Sequence, residues 1–117
     1  MTLQVYDSRD PTHTGGYNYI PAVGDQESCT TCVAFAVTAV AHAAMASIFQ
    51  VNATSIARLS NQQFHFCLSS REGEERGCKS PMTMQDGVEA FVNLHKNGRY
   101  LIQERCAPYK TTPDPQR

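Results

Sequence analysis

The run from Cys32 to about Gln50 constrains this chain more than any other feature. It is rich in Ala and Val and contains neither Gly nor Pro. Such composition favours helix, and apolar residues fall on nearly every side of it, which predicts a helix buried all round. The longest apolar stretch, Val33 to Met45, is interrupted by Thr38 and His42. It falls short of the ~20 apolar residues that span a bilayer, so the segment reads as the core helix of a soluble protein and no membrane partner is expected. The N-terminus carries Asp7, Arg9 and Asp10 with no apolar run behind them, unlike a signal peptide. A length of 117 residues fits one small domain built around that helix.

The flanking sequence is punctuated differently. Residues 1–28 hold Pro11, Gly15, Gly16 and Pro21 in close order, which predicts an extended arm with short strands and no helix. Ser60-Asn61-Gln62-Gln63 has the form of a capping box, in which Ser60 and Gln63 reciprocally satisfy free N–H groups, so a short helix should start at Asn61 and end near Cys67. The polar stretch 69–80 reads as a solvated loop. From Thr83 a third helix is signalled by Val88, Phe91, Val92 and His95, stopped by Asn97-Gly98. Residues 29–107 thus form a helical domain, and 108–117, with Pro108, Pro113 and Pro115, a tail or linker. No internal repeat is present. The expected class is mainly α with short strands.

Charge narrows the partners. Ten Lys+Arg balance eleven Asp+Glu, which leaves no basic surface for phosphates, so nucleic acid is not expected. Five cysteines are many for this length and their number is odd, so at most four pair and one thiol is left over. That density favours an oxidising compartment. Asn52-Ala53-Thr54 matches a glycosylation sequon, a pattern short enough to occur by chance.

The chemistry sits in Cys29-Thr30-Thr31-Cys32 at the start of the central helix. Unpaired N–H groups and the helix dipole favour an anion there, and a cysteine nucleophile needs its thiolate stabilised. Three other readings compete. A redox Cys-x-x-Cys would follow a strand in an alternating β/α pattern, which is missing. Zinc bound by Cys29, Cys32, Cys67 and Cys78 has the right ligand type but lacks two close pairs, so no metal and no cofactor is expected. Cys32 as a small buried hydrophobe is the plain alternative.

The segment from Asp25 to Ala36, Asp-Gln-Glu-Ser-Cys-Thr-Thr-Cys-Val-Ala-Phe-Ala, resembles the active-site segment of papain-like cysteine proteases, written Gln-Gly-Ser-Cys-Gly-Ser-Cys-Trp-Ala-Phe. Tyr6-Asp7-Ser8-Arg9 resembles the family's opening Asp-x-Arg, and Ile20-Pro21-Ala22-Val23 the strand before the active-site loop. Leu59-Ser60-Asn61-Gln62 with Cys67, then Gly77-Cys78, then Ala107-Pro108-Tyr109 follow in family order. The resemblance covers roughly residues 6–110 and implies the helical half of the α+β papain-like fold, with its central buried helix starting at Cys32.

It also implies roles. Cys32 would be the nucleophile, and the Gln26 side-chain amide would join the Cys32 N–H in the oxyanion hole, where removing one donor typically costs ~3 kcal/mol. Thr30, Thr31, Ser80 and Pro81 would line the substrate site. Cys29 would pair with Cys78 and Cys67 with Cys106, one of three connectivities open to four cysteines. Departures accompany the matches. Thr30 stands where the family has Gly and should narrow the pocket, and Pro81, aligned to a Gly, has no N–H to pair a substrate, a loss of ~1 kcal/mol. Val33 replaces the family's Trp. His42 and Asn61 replace acidic residues, which points to an altered polar contact with the other half of the fold.

The family's general-base His and orienting Asn have no match here. His42 lies ten residues along the helix from Cys32, ~15 Å of rise, too far to reach the thiol. His65 and His95 fit core or boundary positions, and His13 in the arm is unconstrained. The resemblance therefore implies a cysteine-type peptidase half acting on protein or peptide substrates, its His and Asn supplied by a complementary domain or chain. The alternative is a catalytically inactive binding or assembly module.

Overall fold

A computed structural model describes residues 6–68, 78, 82–96, 98 and 100–110. Most of the polar stretch 69–80, Ser80 and Pro81 with it, the Asn97 helix stop, the His95 side chain and the tail beyond Lys110 lie outside the described residues. Among those residues three α-helices form: α1 (Pro11–Thr14), α2 (Cys32–Phe49) and α3 (Met84–Lys96). Strand pairing is limited to one isolated antiparallel bridge, Leu59 to Gln103, so the expected short strands are not seen among them. The mainly helical fold expected from the sequence is present, with the central helix starting at Cys32.

Helix α2 keeps its expected bounds but not its expected burial. Its buried residues are Ala34, Thr38, His42 and Ala46, a single stripe at every fourth position. Val40 and Ile48 on its other sides are 70% and 76% exposed. The stripe narrows because α3 and the short turns around residues 53–68 reach α2 from one side. Its two polar members are satisfied: the Thr38 hydroxyl bonds Asn61 Oδ1, and His42 Nε2 donates to the Ala53 carbonyl at 2.8 Å. By length and apolarity alone α2 could cross a membrane. A polar stripe bonded within the chain is what a core helix shows. His42 and Asn61, expected to meet another half of the fold, thus both make contacts inside this chain.

The core has two parts. Ala34, Phe64, Met82 and Leu94 form one cluster, with Val33, Val37, Ala90 and Leu101 packed against it. Phe64 is fully buried, a contribution of about 2–3 kcal/mol. Tyr19, Ala46 and Ala53 form the second, near the C-terminal end of α2. Helix α3 turns a different face inward from the one its apolar stripe predicts. Val88, Phe91 and Val92 are 41–51% exposed, while Gly87 and Leu94 are buried. Gly87 decides this. A Cβ there would sit 2.6 Å from Val33 Cγ1, so its absence lets the two helices approach.

Local chemistry accounts for two further departures. The arm does contain a helix, α1, because Asp10 accepts from the Thr12 N–H, Pro11 supplies a preset φ, and Gly15 at φ 76° ends the turn. The capping box forms only in part. The Gln63 N–H donates to Ser60 Oγ at 3.0 Å, but the Gln63 side chain bonds the Tyr100 carbonyl and the Ile102 N–H instead of returning to Ser60. The helical turn that follows widens into a π-helix over Gln63–Leu68.

Candidate active site

The loop before α2 is tied into a tight knot. Asp25 Oδ1 accepts from the Glu27 N–H at 2.8 Å, and Glu27 takes a left-handed φ of 55°, which costs a non-glycine residue strain. The Gln26 side chain folds forward, Nε2 donating to the Cys29 carbonyl at 2.8 Å. That amide carries two protons, so one remains for a second acceptor. Cys32 opens α2, and its backbone N–H has no intrahelical partner. Its side chain is an exposed free thiol. The chain thus presents two N–H donors, from Gln26 and Cys32, on the segment that carries the thiol.

Cys29 is bonded to Cys78, across 49 residues of sequence. The Thr30 N–H also donates to the Cys78 carbonyl at 2.8 Å, and its hydroxyl bonds the same oxygen. Thr30 is therefore turned toward Cys78. Thr31, expected at the substrate site, is fully buried. Its hydroxyl meets Tyr109 Oη at 2.7 Å instead of facing outward. Tyr109 in turn donates to the Gln26 carbonyl at 2.7 Å and packs edge-on against Phe35. Burial pushes the Tyr109 hydroxyl above its ordinary value of 10, against the opposing effect of the Thr31 bond, with Glu27 and Asp25 reinforcing the rise.

The second expected disulfide is not formed: Cys67 and Cys106 are exposed free thiols. The segment that carries Cys106 is paired to the start of the helical turn that carries Cys67. Tyr100 lies beside Gln63 and Ile102 beside Ser60, and the chain then turns through Glu104–Cys106 so that the Ala107 carbonyl also meets Ser60.

Three of the histidines are engaged elsewhere. His42 serves Ala53, His13 Nδ1 accepts from the Asp7 N–H at 2.9 Å, and His65 is fully buried against Phe66. No imidazole among the described side chains bonds Cys32. No group of three His, Cys, Asp or Glu among the described residues could hold a metal, and Cys29 and Cys78 are joined to each other. A cleft of about 350 Å³ runs beside α2, between residues 20–24 and Arg58–Asn61. It contains neither Cys32 nor Gln26, although Phe35 and Ala36 on its wall lie one turn from Cys32.

The role of Tyr109 is not legible from its motif. Its partners lie 78 and 83 residues away, and only its place after Pro108 in a polar tail marks it. Among known families, the papain family cysteine proteases match residues 4–116. No curated protein matches the chain. A disulfide beside an exposed helix-opening thiol, on a mainly helical fold matched over nearly its whole length, leads to one conclusion: the chain belongs to the papain family of cysteine proteases.

Proposed function

We propose that this chain is the thiol-bearing half of a cysteine peptidase, with Cys32 as nucleophile and Gln26 and the Cys32 N–H as oxyanion donors. The observation that carries the reading is the position of Cys32, an exposed thiol first in α2, on the same short segment as the Gln26 amide and its own free backbone N–H. The general-base His and its orienting Asn come from a complementary domain or chain. Attack of the thiolate on a peptide carbonyl forms an acyl-enzyme as the imidazolium gives its proton to the leaving amine. Water then releases the acid and regenerates the thiol. Substrates are proteins or peptides. The Cys29–Cys78 bond fits an oxidising compartment, secreted or lysosomal and vacuolar.

Cys67 and Cys106 provide internal references for the test, since both are free and exposed on the same molecule. Iodoacetamide labelling resolved by peptide mass should modify Cys32 at least about tenfold faster than either at pH 6 to 7, as expected of a catalytic nucleophile. Equal rates at all three, rising together with pH, would instead favour the inactive binding or assembly module.

A further inference from the structure

We infer that Asn52 is a glycosylation site, taking an oligosaccharide on its side-chain amide nitrogen. Asn52-Ala53-Thr54 is the single Asn-x-Ser/Thr triplet among the chain's five asparagines. A triplet is short enough to arise by chance, so its surroundings carry the inference. Asn52 and Thr54 are both exposed, whereas Ala53 between them is 3% exposed and its N–H donates to the Asn18 carbonyl at 2.8 Å. The middle residue anchors the triplet and leaves both functional members in solvent.

The Asn52 amide is oriented by a group that only an oxygen can meet. The Asn18 N–H donates to Oδ1 at 2.9 Å, so Nδ2 is the half of the amide left over. An asparagine that opens a helical turn ordinarily spends its side chain on capping that turn, but the short turn Ala53–Ser55 has no side-chain cap. The nitrogen that carries the sugar therefore serves nothing in the fold among the described residues. Glycosylation keeps Oδ1 intact, so the bond from Asn18 survives it. The sugar comes from a lipid-linked oligosaccharide diphosphate. Nδ2 bonds to the anomeric carbon, the bond from that carbon to the phosphate oxygen breaks, the lipid diphosphate leaves with the electron pair, and one Nδ2 proton is lost.

This transfer belongs to the secretory pathway, so the inference rests on the oxidising compartment read from the Cys29–Cys78 bond. It also fits the proposed site. Asn52 lies just past Gln50, the C-cap of α2, while Cys32 opens that helix 18 residues earlier, ~27 Å along the axis at 1.5 Å per residue. The glycan stands at the opposite end of α2 from the thiol and leaves it open. It places a hydrophilic chain on the end of the helix where Ile48 and Phe49 are exposed.

The test is intact mass and peptide mapping of the full chain made through a eukaryotic secretory pathway, beside Thr54→Ser and Thr54→Ala. Thr54 is exposed, so neither change touches the core. Wild type and Thr54→Ser should carry one glycan that a peptide N-glycosidase removes, leaving Asp at position 52, and Thr54→Ala should carry none. Asn52→Gln replaces Thr54→Ala if that variant does not fold, and it too should be bare. A bare wild-type chain, or a glycan that persists without the Thr54 hydroxyl, overturns the inference. The same peptide map reads the disulfide. Asn52 bare with Cys29 and Cys78 joined sinks this inference alone, whereas both cysteines reduced and Asn52 bare sink the compartment reading with it. Iodoacetamide should modify Cys32 equally fast before and after the glycan is removed, and a slower rate in the glycosylated chain would overturn the placement of the sugar away from the thiol.

Discussion

Replacing Cys29 and Cys78 together by Ala should destabilise the chain by an amount set by the length of sequence the bond closes. Cross-linking a loop of 49 residues removes about 14 cal/mol/K from the unfolded chain, or about 4 kcal/mol at 25 °C. The folded side of the balance should change little. Thr30 keeps its N–H and hydroxyl bonds to the residue-78 carbonyl, so the crossing stays held, and Ala at the buried position 29 introduces no unsatisfied polar group. Urea unfolding followed by circular dichroism gives the number directly. With a slope of roughly 1.5 kcal/mol/M, the midpoint should fall by about 2.5 M. A domain of ordinary stability, about 5–15 kcal/mol, would remain folded or only just so. A midpoint shift smaller than about 0.5 M at unchanged slope would refute the reasoning, because the bond could not then be restricting the unfolded chain.

Gly87→Ala should destabilise by roughly 1–2 kcal/mol, since overpacking against Val33 outweighs the ~1 kcal/mol gained in helix propensity. Thermal unfolding of Gly87→Ala with and without Val33→Ala checks it, and failure of the smaller residue 33 to recover part of the loss would count against the close approach of α2 and α3. Asp7 is held at about 2 by its side-chain bond from Arg9, well under the ordinary carboxylate value of 3.8. A lowered carboxylate favours the folded arm above its unfolded value and loses that favour as pH falls from about 4 to 2, so a carboxyl carbon NMR titration should show the low value and Arg9→Gln should raise it. His42→Ala should cost about 3 kcal/mol by leaving the Ala53 carbonyl unpaired and a space beside it, and His42→Gln should recover a part, both read from urea midpoints.

How much of this was legible in the sequence depended on whether the deciding contact was local. The bounds of α2 follow from an uninterrupted composition, and the left-handed φ of 66° at Gly98 fits a glycine just past α3. The inner face of α3 does not follow from its apolar stripe, because burial there is set by closest approach and Gly87, with no side chain, carries no hydrophobic signal. In the same way Gln63 satisfies a capping pattern on paper, but its side chain finds the Tyr100 carbonyl and Ile102 N–H from a distant segment and leaves the box half made. Thr30 and Thr31 looked alike as candidates for the substrate site. The fold separates them by turning one toward Cys78 and burying the other under Tyr109.

The groups around Cys32 fit the proposed half-peptidase. Acyl transfer needs electrophilic groups that bind the developing oxyanion and a base that exchanges a proton with thiol and leaving group. On that proposal the first set lies on one short segment: the remaining proton of the Gln26 amide and the Cys32 N–H. The second set is drawn elsewhere, for the His13 ring accepts from the Asp7 amide and His42 donates to Ala53, each serving the fold. The division is chemical as well as spatial. A partner that brings an imidazole over the exposed end of α2 needs no rearrangement of this loop, because the groups it must cooperate with are already fixed by the Cys29–Cys78 bond on one side and by Tyr109 on the other.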